Sequence, residues 1–238
     1  MSKLESLPES VAALLTDIVS NLDYATGKQR YPRPVSADDA AAIAEAFHEQ
    51  IDRGVETRAE LGRKKLMVIA CGRGCNTCCE EPIMVTLPEA IVVARWLAQP
   101  ERKEILDGFR ARYGAWHARA ADKLEELSVA TSREDAERAL ALHVENRALC
   151  PFNQRGDCTV YPARPILCRE AHALYTAANC GPEAAQPART IPFPQLDEFV
   201  VKCKTALWAL HHALPGTGRL RLFPLPLAVA RLLDEMGV

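Results

Sequence analysis

The chain has 238 residues and a formal net charge of −2, with 48% hydrophobic, 25% charged and 6% aromatic residues. That length can bury a core without staples, and the near-neutral balance offers no electrostatic footprint for nucleic acid or an anionic membrane. Scarce aromatics also weaken a base-stacking role.

Helical signals dominate in chain order. Residues 7–22 place Val11, Leu14, Leu15, Ile18 and Leu22 on one face, with Pro8 near the start. Ser36 reads as the N-cap of a second helix, with acidic residues in its first turn and Ala40, Ile43, Ala44, Phe47 and Ile51 at helical spacing. Gly54 sits inside that pattern and is read as an end or a bend. Thr86, Pro88 and Glu89 open a third helix. Residues 101–126 form a long charged helix carrying Ile105, Leu106, Phe109, Tyr113 and Trp116, and 131–148 form another. The region 150–170 breaks the pattern, with short β-like pieces around "QRGD", then prolines, then a helix start. Residues 181–194 read as a proline-rich connector, 195–213 as a helix, and the final stretch as a short amphipathic one. The expectation is one domain over 1–238, mainly α, with a small irregular or β-hairpin cysteine-rich insert. Its metal-binding core covers about 66–180.

The opening "MSKLESLPES" lacks the pattern of a signal peptide, and the apolar runs at 66–71 and 225–230 are too short to cross a bilayer. A cytoplasmic location and no membrane partner are therefore expected. In a reducing compartment, clustered cysteines point to metal ligands or catalytic thiols before disulfides, and nine cysteines cannot all pair internally.

Seven of the nine fall in two clusters. Cys71, Cys75, Cys78 and Cys79 form C-x3-C-x2-C-C, with Gly72 and Gly74 arguing for a loop that bends the thiols together. Cys150 and Cys158 flank a "PFNQRGD" turn, and Cys168 follows Arg164-Pro165 near a helix N-terminus, where the dipole favours a thiolate. Thiolates this close repel unless a cation neutralises them, which suits zinc or an iron–sulfur cluster and argues against magnesium or calcium. The vicinal pair Cys78–Cys79 is badly shaped for a disulfide. Seven thiols exceed one tetrahedral zinc; two zinc ions need a bridging sulfur or a water to complete their ligands, and one [4Fe–4S] cluster leaves thiols over. Zinc is the first choice, with iron or an iron–sulfur cluster the alternative.

The two stretches "CGRGCNTCC" and "CPFNQRGDCTVYPARPILCR" resemble the bacterial cysteine-cluster (CxxCxxCC) proteins, named as zinc- or iron-chelating domains. The second match includes Pro151, Phe152, Tyr161, Arg164, Pro165 and Arg169 as well as the cysteines. The resemblance covers Cys71 to Arg169 and departs from the pattern by one extra residue between Cys71 and Cys75. It implies metal binding through Cys71, Cys75, Cys78, Cys79, Cys150, Cys158 and Cys168, without a settled reaction. It also tips Arg164 and Arg169 from plain helix-end charges towards roles at the site.

Other candidates carry plainer expectations. Cys180 and Cys203 stand alone, as buried cysteines commonly do, although Cys180 follows Cys168 on a short tether and is the better extra ligand. His172 lies four residues after Cys168 but is read first as a hydrogen-bonded histidine, and His143, His211 and His212 as non-ligands. Glu80 and Glu81 read first as a solvated turn. A structural or metal-handling role competes with a metal-dependent or iron–sulfur enzyme. No Walker loop, dinucleotide fingerprint, H-E-x-x-H or serine elbow names a substrate.

Overall fold

The computed structural model describes residues 9, 13, 16, 17, 20–23, 28, 29, 35–72, 74–130, 132–170, 172–180, 189–214 and 222–238. The helix expected over 7–22 lies largely outside these; its described members 9, 13, 16, 17 and 20 are helical. Leu22 departs from it and pairs with Gln29 in a two-stranded antiparallel ribbon, β1 (Leu22–Asp23) and β2 (Lys28–Gln29). Most of the connector expected at 181–194 also lies outside the described residues.

Helix α1 spans Ala37–Lys64. Ser36 starts it as read from sequence: its Oγ accepts from the Asp39 backbone N–H at 3.0 Å. Gly54 does not end it. A Cβ there would stand 2.5 Å from Leu196 Cδ1, so the missing side chain is what lets another helix approach. Helix α2 (Leu87–Leu97) is the buried centre of the molecule, with Ala90, Val93, Ala94 and Leu97 fully enclosed. The long helix expected over 101–126 is α3 (Lys103–Trp116), a π-helical turn His117–Ala121, and α4 (Asp122–Val129). Helix α5 (Arg133–Glu145) returns alongside α4. After the cysteine hairpin come the short α6 (Ile166–Glu170), the long α7 (Pro194–Ala213) and the terminal α8 (Leu225–Glu235).

The fold is mainly α with small β pieces. Helix α2 packs on α1, α7 and α8, and α1 packs in turn on α7 and α6. Ile43, Phe47 and Ile51 of α1 join Val93 and Leu97 of α2, Leu207 and Leu210 of α7, and Val229 and Leu233 of α8 in one apolar cluster. That cluster continues through Phe109 into Phe152, Val160, Ala163 and Ile166 of the second cysteine motif. Two further antiparallel pairs complete the structure: β3 (Met84–Val85) with β6 (Phe223–Pro224), and β4 (Asn153–Gln154) with β5 (Asp157–Cys158). Among the described residues no helix is long and apolar enough to cross a membrane.

Candidate metal centre

The second cysteine motif folds as the sequence suggests, into a tight hairpin. Gln154 opposes Asp157, leaving Arg155 and Gly156 as the two turn residues, with φ of 57° and 88°. Two positive φ values match a turn whose twist suits a hairpin, and glycine at the second position adopts one freely. Asn153 Oδ1 accepts from the Gly156 N–H at 3.0 Å and closes the turn. Phe152 stacks on Phe109 of α3 with centroids 4.4 Å apart, and Arg112 Nε donates to the Pro151 carbonyl at 2.8 Å.

Two buried charged residues then hold the stretch that carries Cys168. Arg169 is 2% exposed. Its Nε donates to the Arg164 carbonyl at 2.6 Å, one terminal nitrogen donates to the Pro162 carbonyl at 2.7 Å, and the other pairs with Asp52 of α1. Its guanidinium thus fixes the 162–164 turn, a use the motif alone does not reveal, and its charge also reaches Cys158. Glu89 of α2 is also buried. One carboxylate oxygen accepts from the backbone N–H of Thr86 at 3.0 Å and from its hydroxyl at 2.7 Å; the other accepts from the Ile166 N–H at 3.0 Å. A single carboxylate therefore caps both α2 and α6. In the sequence Glu89 reads only as an acidic residue in the first turn of α2, because both its cap bonds and its contact to α6 take shape in the folded chain.

The first motif is an open loop followed by a 3₁₀ turn, Thr77–Glu80. Gly74 has φ of 89° and lies against the hairpin tip: a Cβ on Gly156 would stand 2.9 Å from Gly74 Cα. The Cys150 N–H donates to the Cys79 carbonyl at 2.8 Å, and Asn153 Nδ2 donates to Cys79 Sγ at 3.5 Å. On the other side, residues 68–71 run antiparallel to 172–175. Tyr175 N–H donates to the Val68 carbonyl and Ala70 N–H to the Ala173 carbonyl, at 2.8 and 2.9 Å, and Ala173 N–H donates to Cys71 Sγ at 3.0 Å.

These contacts bring the two motifs to one cavity of about 510 Å³, lined by all seven expected cysteines together with Phe152, Tyr161, Arg164 and His172. All nine cysteines are free thiols. Cys203 is buried in the core of α7, as expected. Cys180, Glu80 and Glu81 do not line the cavity. His211 is buried, and its Nδ1 accepts from the Leu87 N–H at 3.0 Å, making it a cap for α2. The side chain of His143 lies outside the described residues.

The electrostatics divide the thiols. Cys79 is drawn down to about 6 by the hydrogen bond from the Cys78 thiol, with the Asn153 amide adding to it; Cys78 is correspondingly raised by holding the shared proton. Burial pushes Cys150 and Cys158 up, and Cys168 up to about 12. Cys168 thus departs from the expectation that a helix N-terminus would favour its thiolate. The helix is only five residues long, its leading N–H is taken by Glu89, and desolvation outweighs the dipole, with neighbouring Cys158 and Cys79 opposing ionisation further. Arg164 faces this group with opposite charge while its guanidinium lies 3.6 Å over the Tyr161 ring. His172 is held near 4 by burial and by Arg58 and Arg164. Its Nδ1 lies 3.4 Å from an Arg58 nitrogen that can only donate, which assigns the ring proton to Nε2. A ligating histidine normally presents the opposite pattern, with its free N–H donated to an acceptor, so His172 fits a hydrogen-bonded wall residue better than a ligand.

The donor set suits a borderline or soft cation: thiols throughout, N–H donors on two of the sulfurs, and arginine counter-charge. Among the described residues no three His, Cys, Asp or Glu side chains are drawn into a finished ligand group, so the thiols line the cavity without converging. Cysteine sites of this kind close as the ion binds and the thiols deprotonate. No family model, no curated protein and no solved structure matches this chain.

Proposed function

We propose that the protein chelates zinc through Cys71, Cys75, Cys78, Cys79, Cys150, Cys158 and Cys168, in a structural or metal-handling role, with iron or an iron–sulfur cluster as the alternative occupant. The supporting observation is that seven cysteines from two distant stretches line one cavity while the two lone cysteines do not. The likeness to the cysteine-cluster proteins belongs to the same reading, as does a reducing, cytoplasmic setting in which free thiols persist. A bound zinc would hold the loop 71–79 against the hairpin and neutralise thiolates that otherwise repel.

A second reading, a metal-dependent or iron–sulfur enzyme, draws on the size of the cavity. About 510 Å³ exceeds what a closed tetrahedral ion needs and falls in the range of small-molecule sites. Exposed Tyr161 and the stacked Arg164 stand at its wall.

Elemental analysis and visible absorption of anaerobically purified protein test the proposal. Colourless protein carrying about two zinc ions per chain is the expected result. Brown protein absorbing near 400 nm would shift the occupant to an iron–sulfur cluster. A folded chain that neither carries nor takes up either metal would end the metal-binding reading.

A further inference from the structure

We infer that Arg58 of α1, outside both cysteine motifs, is the positioning residue for Cys71: it fixes the segment whose backbone grips the Cys71 sulfur. This rests on the metal-binding reading above and adds to it how the first of the seven thiols is held in place.

Arg58 is 4% exposed and does not itself line the cavity. One terminal nitrogen donates to the Glu170 carbonyl at 2.8 Å and lies 3.4 Å from His172 Nδ1. The other stands 3.7 Å from a carboxylate oxygen of Asp197, whose side chain is 59% exposed, and Nε has no hydrogen-bond partner. Burying a guanidinium is costly, and the carboxylate it meets here is distant and wet. Its short bond runs instead to main chain at the end of α6. Glu170 also pairs with Lys204 through its side chain, but both groups are partly exposed and such a pair holds little. Arg58 is the buried tie.

The residue after His172 makes the connection. Ala173 is 2% exposed; its N–H donates to Cys71 Sγ at 3.0 Å and its carbonyl accepts from the Ala70 N–H at 2.9 Å. The bridge of Ile69 to Leu174 and the bond from Tyr175 N–H to the Val68 carbonyl carry the pairing onward, and Leu174 N–H donates to the Arg189 carbonyl at 2.8 Å. Cys71 is therefore fastened to 172–175, and Arg58 fastens the start of that segment to α1. The far end of the loop is held differently. Gly74 lies against the hairpin tip, and the Cys79 carbonyl accepts from the Cys150 N–H. Arg58 thus governs the Cys71 end alone. An N–H aimed at a ligating sulfur orients it and offsets part of its charge once an ion is bound, and groups that orient a ligand in this way set affinity without touching the ion.

The test uses the full chain, stripped of metal and reloaded anaerobically with cobalt(II), whose near-ultraviolet sulfur-to-cobalt band grows with the number of bound thiolates. R58M removes every donor at this position while keeping a long side chain. It should lose one thiolate's share of the band, as C71S does, and the double variant should lose no more. Its zinc affinity should fall about 10–100-fold, and in the zinc-loaded chain Cys71 alone of the seven should become open to iodoacetamide. D197N, which removes only the exposed carboxylate, should match wild type. A folded R58M chain with the wild-type band and a protected Cys71 overturns the inference, as does an equal loss in D197N. So does an R58M chain in which all seven cysteines open alike, because Arg58 would then be a general support of the fold. If R58M does not fold, R58K decides by the same readouts: its ammonium reaches the carbonyl or the ring but not both, and Cys71 should again be the cysteine that opens. Wild-type protein that takes up neither cobalt nor zinc defeats the metal-binding reading instead.

Discussion

The two cysteine motifs line one cavity but are held there in different ways. The second, 150–169, is tied to the helical core at every turn: Phe152 on Phe109, Pro151 by Arg112, Ile166 by Glu89 and Arg169 by Asp52. The first, 71–79, has no side chain in the main apolar cluster among its described residues and leans on its neighbours through backbone contacts. One half of the site is therefore preorganised by packing and the other by the half already in place. Helix-anchored ligands can be set before an ion arrives, while loop ligands complete their geometry around it.

The contrast breaks most visibly at Arg169. R169A removes a buried guanidinium, strands two carbonyls and leaves Asp52 only its longer pairing with Arg164, and should destabilise the chain by about 3–5 kcal/mol in urea unfolding. R169K should not rescue it, since an ammonium cannot fill three fork positions at once. A variant with near-native stability would show that the second motif is not core-anchored.

Next in size are the two glycines where the motifs touch. G156A forces a Cβ to within 3.0 Å of the Gly74 backbone at a φ of 88°, and should cost about 2–3 kcal/mol and weaken zinc affinity. G74A meets nothing within 4 Å at nearly the same φ, so it carries only the conformational penalty of about 1 kcal/mol. Equal effects in thermal unfolding would mean that the close approach is unimportant.

A smaller effect separates the thiols by pH in metal-free protein. Cys79 titrates near 6, below the unfolded value of about 8.5, so its contribution is full above 8.5 and fades as pH falls through 6. Cys168 shifts the other way: its contribution is intact below about 8.5 and is lost as pH rises towards 12. At pH 7, iodoacetamide should therefore modify Cys79 ahead of Cys150 and Cys168, as read by peptide mass mapping. N153A, which deletes the amide donor to Cys79, should move the Cys79 alkylation profile to higher pH. An unchanged profile would remove Asn153 from the account.

The smallest change is expected at His172. H172Q should cost at most about 1 kcal/mol and leave the zinc count unchanged, because the ring already accepts from Arg58. Loss of one zinc equivalent in H172Q would make the histidine a ligand after all.

Much of this was legible in the chain. Ser36 and Thr86 mark helix starts through capping chemistry that acts over three residues, and Arg155-Gly156 marks a hairpin through local backbone preference. Gly54 misled because a helix-breaking glycine and a helix-packing glycine look alike until Leu196 is placed against it. Arg169 hid its grip on the 162–164 turn and on Asp52 because nothing in the motif says which way a guanidinium points. Glu89 hid its second role because Ile166 meets it only in the folded chain.

By itself, then, the sequence determined the elements and the inventory of thiols: helices from apolar period and caps, a turn from its glycine, and two cysteine clusters from their spacing. These are local properties, set within a few residues. Tertiary structure decided that both clusters open onto one cavity, and that burial raises the Cys168 thiol against its helix dipole. Those outcomes depend on which distant segments exclude water from one another, and only the packed chain establishes that.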